Sequence, residues 1–179
     1  PMYRDLQQGD TGFRALVARA AASVSFRVGD VSERVVAEMV SGNTFEVLGA
    51  TPALGRVFTP AEDAVKAGHP VIVLADTFWQ RRFNRAPDVI GQTVVVNATP
   101  MTIIGVARPG FVGVLANREP AFFVPLTMRP HIVPTRDDLD DRRTRWLSIV
   151  GRLAPGTTAT AAKAAVDVRY RQINAHELE

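Results

Sequence analysis

Apolar and polar positions change their period several times along these 179 residues. Tyr3 and Leu6 are spaced for a short helix to about Gln8, with Gly9 as its end, and Phe13 to Ala22 is a further apolar stretch that a helix would accept. Val24, Phe26 and Val28 then alternate with Ser23, Ser25 and Arg27, the period of two expected of a half-buried strand. Gly29-Asp30 supplies a turn, and a second strand follows over Arg34 to Val40 with Val35, Ala37 and Met39 on one face, which makes a β-hairpin. Ser41-Gly42-Asn43 reads as the cap of a short helix through Phe45, Val47 and Leu48 that Gly49 ends, and Thr51 to Pro60 reads as loop.

The second half follows the same logic. Pro70 to Leu74 forms a buried strand, and Asp76 stands where it would cap a helix carrying Phe78, Trp79 and Phe83 that ends near Asn84. Val94 to Asn97 and Met101 to Val106 form a second hairpin across Ala98-Thr99-Pro100, and Phe122 to Val124 gives a short strand before Pro125. Arg129 to Arg145, rich in proline and charge, reads as an exposed return whose Asp137 to Asp141 run faces Arg142-Arg143. Trp146 to Leu153 makes a last strand, and Thr158 starts a helix presenting Ala162, Val166 and Ile173 on one face. The fold class is α+β, without a βαβ repeat.

Composition narrows the function classes. A hydrophobic fraction of 46% builds a real core, and a net charge of +3 is too small to call for a nucleic-acid partner. Trp79 to Arg85 mixes rings and arginines, but at helical spacing the rings turn inward and the arginines face solvent or carboxylates. With no cysteine, disulfides and thiolate sites are excluded. The longest apolar runs fall far short of the roughly 20 residues that span a bilayer, and Pro1-Met2-Tyr3 reads as the start of an excised piece.

Residues able to carry chemistry do not form a recognisable constellation. His69, His131 and His176 lie far apart, and the acidic run lacks the spacing, central glycine and terminal glutamate of a calcium loop. No nucleophile elbow, dinucleotide fingerprint or phosphate-cradling loop with its lysine occurs, so no ATPase activity is expected. No catalytic, cofactor-binding or metal residue is assigned. A hydrolase would need a base within reach of a nucleophile such as Ser148 or Thr77.

Several phrases in one order carry a resemblance. They are Val40-Ser41-Gly42-Asn43-Thr44-Phe45-Glu46-Val47-Leu48-Gly49, Pro52-Ala53-Leu54-Gly55-Arg56-Val57-Phe58, Phe78-Trp79-Gln80-Arg81-Arg82-Phe83, Val89-Ile90-Gly91-Gln92-Thr93, Ile104-Gly105-Val106 and Val124-Pro125-Leu126. Together they resemble the MacB-like periplasmic core domain of ABC-type permeases, in particular the orphan permeases without a fused ATPase. Thr44 departs from the aromatic residue usual there, Asp76-Thr77 departs from a Ser-Tyr type pair, and the family's first strand is missing before Tyr3.

The resemblance implies two lobes: a porter-like α+β lobe from residues 1–58 and 145–179, and an inserted β-rich lobe, 59–144, with its return linker. The last strand would then join the sheet of the first hairpin, and residues 70–125 would stand apart, so that a single sheet through all strands would break the resemblance at the level of fold. It further implies a non-enzymatic extracytoplasmic domain of an inner-membrane export permease, with transmembrane helices before and after this chain. A separate cytoplasmic ATPase would drive those helices, and the domain would transmit their motion to cargo or to a periplasmic adaptor, beside a second permease copy. The other reading is an extracytoplasmic module that binds a ligand in the cleft between lobes.

Overall fold

The computed structural model describes residues 1–115, 119–136 and 138–175. Its elements are α1 (Met2–Gln7), β1 (Phe13–Val28), β2 (Val31–Val40), α2 (Thr44–Val47), β3 (Pro52–Gly55), β4 (Val71–Leu74), α3 (Asp76–Phe83), β5 (Thr93–Val96), β6 (Thr99–Ala107), β7 (Phe122–Pro125), α4 (Arg129–Ile132), β8 (Ser148–Leu153) and α5 (Ala159–Ala175). The class is mixed α and β, with more strand than helix.

The organising element is β1. Phe13 to Ala22, expected to suit a helix, is the first part of one 16-residue strand. Its run of apolar and alanine residues fits a helix by composition, but Leu16, Val17, Ala18 and Ala20 are buried by partners distant in sequence, and this tertiary burial decides the backbone state. Val28 pairs with Val31 and the hairpin runs without interruption to Arg19 opposite Val40, so β2 begins three residues earlier than the alternation alone showed.

Strand pairing then closes on itself. From β1 it passes to β2, to β7 in parallel, to β4, to β6 in parallel, to β5, and back to β1 through Phe26 opposite Val96. The ring is a small barrel. Two strands lie outside it: β8 pairs with the first part of β1 (Phe13 to Arg19), and β3 pairs with β6. All eight strands therefore belong to one sheet. The last strand joins the sheet of the first hairpin as expected, but residues 70–125 do not form a separate sheet, because closing the ring requires strands from both segments.

Rings pack on both faces of the barrel wall. Phe26, Phe45, Phe58, Phe122 and Phe123 are among the largest fully buried side chains, with Phe122 on the face of Phe26 and its chain neighbour Phe123 on the opposite face with Phe45. Phe26 meets Phe78 edge-on at 5.1 Å and Phe122 at 5.6 Å, and Phe45 meets Phe58 edge-on at 5.1 Å and Phe123 at 5.6 Å, within the favourable range for aromatic pairs. On α3, Phe78 and Trp79 are the buried rings and Phe83 is partly buried; the arginines pair with carboxylates, Arg81 and Arg82 with Glu33 and Arg85 with Asp76. Asp76 does not cap this helix; it is the first helical residue, and Ala75 holds the N-cap position.

Two phrases of the sequence turn out to be one contact. The stretch read as loop contains β3, and its Gly55 sits against Gly105 of β6. A Cβ on Gly105 would lie 1.9 Å from the Arg56 carbonyl oxygen, so only glycine lets β3 approach. The β5–β6 turn is also displaced by one residue from the expected one. It uses Asn97 and Ala98, both at positive φ, as a two-residue hairpin turn requires.

The ends of the chain form a thinner layer. α5 buries Ala162 and Ile173, with Val166 partly buried, and rests on α1, where Arg169 donates to the Asp5 carbonyl oxygen. Thr158 starts α5 as expected, its hydroxyl accepting from the Ala161 amide. The return segment is not uniformly exposed. Arg129 and Asp138 are both buried and form a bidentate pair, with the Arg129 guanidinium 3.9 Å from the Trp146 ring centroid. Asp137 and His176 lie outside the described residues.

Candidate functional site

The Ser41-Gly42-Asn43-Thr44 phrase leaves the end of β2 and enters a network instead of a simple helix cap. Ser41 Oγ accepts from the Ala18 amide at 3.0 Å and donates to Asn43 Oδ1 at 2.8 Å. Asn43 Nδ2 donates to the Leu16 carbonyl at 2.9 Å, where Tyr3 Oη also donates at 3.0 Å. Asn43 holds the N-cap position of α2, but its side chain is spent on β1. The phrase therefore fastens α1, β1 and β2 at one corner. Burial raises the Tyr3 phenol above its ordinary range, so it stays a donor at neutral pH.

Asp63 extends the same corner to the segment after β7. Its carboxylate accepts from the Gly42 amide at 3.0 Å and from the Thr127 amide at 2.9 Å, joining the end of β2 to the segment after β7. Burial pushes its pKa up, and the two amide donors pull it back down. Gly42 is needed here, since a Cβ would lie 2.6 Å from Pro60 Cα. Thr127 Oγ is buried and makes no well-aligned hydrogen bond, although the hydroxyl is near enough to the Asp63 carboxylate to help lower its pKa.

Beside this corner runs an open groove of about 930 Å³. Tyr3, Asn43, Asp63 and Thr127 line one side, and the return segment with Arg145, Trp146 and Ile149 lines the other. It lies where the terminal layer meets the barrel. No sequence motif announced it, because its walls come from five separate stretches of chain; the Ser-Gly-Asn phrase was the only signal.

The residues considered for chemistry are scattered. His131 Nδ1 lies 3.0 Å from Thr99 Oγ1 at the barrel end, and His69 is in the turn before β4. Thr77 Oγ donates to Glu119 at 2.7 Å, so one of the two candidate nucleophiles does meet a carboxylate, at an exposed site outside this groove. Among the described residues no three His, Asp or Glu side chains are grouped to hold a metal, and no helix is long and apolar enough to cross a membrane. The other buried ion pair, Arg19 with Glu38 at 2.7 Å, lies on the outer face of the hairpin, and burial raises the Glu38 pKa against the pull of Arg19.

A small closed barrel with a side layer of α1, β8 and α5, and a groove at the junction, defines a mixed α/β domain. The profile of the MacB-like periplasmic core domain matches residues 2–168, and the chain belongs to that family of extracytoplasmic permease domains. The single sheet, expected to break the resemblance, is therefore compatible with membership of the family. The fold is similar to the periplasmic region of MacB from Actinobacillus actinomycetemcomitans, at 18% identity and TM-score 0.71 over 92% of this chain and 69% of that one. It is also similar to the extracellular domain of the noncanonic ABC-type transporter YknZ from Gram-positive bacteria, at 18% identity and TM-score 0.69 over 97% of this chain and 81% of that one. No curated protein sequence matches the chain.

Proposed function

We propose that this domain is a mechanical transmitter in an ABC-type permease of the inner membrane, converting movement of transmembrane helices at its chain ends into movement of the barrel. The observation that carries this reading is the side-by-side packing of α1 and α5 on one another, at the junction where β1 leaves the terminal layer and enters the barrel. Displacement at either end enters the same strand. In this reading residues 1–58 and 145–179 take up the motion, and 59–144 deliver it to cargo or to a periplasmic adaptor. A separate cytoplasmic ATPase supplies the energy, and a second permease copy completes the membrane unit.

Weakening the link between the ends tests this in the whole permease with its ATPase. Arg169→Ala removes the α5 side chain that holds the Asp5 carbonyl. ATP hydrolysis should persist while export falls several-fold. Unchanged export with a normally folded domain would sink the transmitter reading.

A second reading is favoured by the poorly bonded Thr127 hydroxyl beside Asp63: the groove itself captures a ligand with a polar group and an apolar body. Thr127→Val would then weaken ligand capture without altering the coupling of hydrolysis to export.

A further inference from the structure

The ring of strand pairing has an opening. On the side of β1 away from β2, β8 reaches only to Arg19 and β5 begins at Phe26, so Ala20 to Ser25 face no described strand. The backbone direction there is fixed by its neighbours. Ala18 exchanges hydrogen bonds with Ser41 on the β2 side, and Ser25 exchanges them with Asn97 on the β5 side. Amides alternate sides along a strand, so those of Ala21 and Ser23 point into the opening. Neither has a backbone partner there among the described residues. Unpaired strand edges of this kind accept added strands.

A groove of about 620 Å³ runs along this opening. Ala20 to Ser23 and Ser25 form its floor, and Asn97, residues 132–136 and Trp146 form its walls. Its charge is one-sided. Arg34, Arg129 and Arg136 line it, and no described carboxylate does. Asp138 neutralises Arg129 from behind, whereas Arg34 reaches only the Ser23 hydroxyl at 3.5 Å and Arg136, whose charge is felt at Asp138, forms no salt bridge among the described residues. The two larger-volume grooves, by contrast, both contain Asp140 and Asp141 beside their cations.

We propose that this opening is a docking site for an extended acidic segment of a partner protein, which adds as a short strand to β1 between β8 and β5. The backbone supplies the amides of Ala21 and Ser23, and Arg34 and Arg136 select the charge. Six residues of strand span about 20 Å, so the site takes a segment of about six to eight residues. This inference stands apart from the transmitter reading and survives its failure.

Residue-resolved hydrogen exchange on residues 1–179 provides the test, with an acetylated octapeptide of alternating glutamate and valine as the probe. In the free chain the Ala21 and Ser23 amides should exchange much faster than those of Ala20 and Ala22. Equal protection would mean that the edge is already covered and would overturn the proposal, and protection that grows with protein concentration would assign the edge to a second copy instead. The peptide should slow exchange at Ala21 and Ser23 at concentrations up to about 1 mM, the weak end of measurable affinity. No slowing would overturn it. Arg34→Glu with Arg136→Glu should weaken the peptide about tenfold, equivalent to 1.4 kcal/mol, and a lysine-valine octapeptide should bind less well than the acidic one. Equal binding by both peptides would refute the acidic partner. Ser23→Pro removes an edge amide while leaving the β2 ladder intact, and should abolish protection at Ala21.

Discussion

β7 and β8 are both short strands near the end of the sequence, and they live in different environments. All four residues of β7 are buried, whereas β8 has no buried residue among its six. The helices repeat the contrast: α3 buries Asp76, Phe78 and Trp79 within eight residues, and α5 buries only Ala162 and Ile173 within 17. The barrel is thus packed by rings on both faces of its wall, and the terminal layer is held more lightly, by β8 along one side of β1 and by α1 at the corner of Ser41 and Asn43. Local opening is expected in the terminal layer before the barrel, because it concentrates where buried apolar contacts are few.

This contrast can be broken by substitution, and the largest effect belongs to the barrel. Phe26→Ala removes a fully buried ring that touches Phe78, Phe83 and Phe122, and should cost about 4 kcal/mol in denaturant unfolding. A loss near that of a surface residue would show that the barrel is not the stable core.

The return segment should come next. Asp138→Asn leaves the buried Arg129 guanidinium without its counter-charge and should cost about 3 kcal/mol, read by the same unfolding curve. The pair also has a pH signature. Hydrogen bonding from Arg129 lowers the Asp138 pKa below its ordinary 3.8, so its contribution is present above that value and is lost as pH falls through the lowered one.

Ile173→Ala in the terminal layer should cost about 2 kcal/mol, at the low end for a buried aliphatic residue, and should raise exchange in α5 and α1 while leaving the barrel amides protected. Uniform loss of protection would mean that the layer and the barrel unfold together.

Glu38→Gln should change a slope more than a level. The folded-state pKa of Glu38 lies above its ordinary 4.5 because of burial, so its contribution is fully present below about that value and is lost as pH rises through the raised one. The wild-type chain should therefore lose more stability than the variant between acid and neutral pH; parallel curves would refute the shift. The smallest effect is expected at Val168→Ser, on the 48% exposed outer face of α5, within about 0.5 kcal/mol.

Much of this was legible in the amino-acid order. Alternation located the first hairpin, a continuous apolar run located β4, and a one-sided helical face located the last helix, since each kind of burial leaves a direct mark on the sequence. The phrases that carry the family resemblance proved to be contact points: Ser41 to Thr44 fastens α1 and β1, and Gly55 with Gly105 lets β3 reach β6. These are places where only particular residues fit, so they stand out one by one.

Tertiary structure alone decided the rest. Phe13 to Ala22 is apolar enough for either state, and only the arrival of β2 and β8 on its two sides makes it a strand. Nothing local distinguishes Asp138 from its acidic neighbours, yet it is buried in a pair with Arg129, which itself stacks on Trp146. Ring closure, the groove at the junction and the opening beside Ala21 and Ser23 arise from pairings between distant segments. Periodicity records which face of an element is buried, but not which element buries it, and the surfaces proposed for function lie at those long-range pairings.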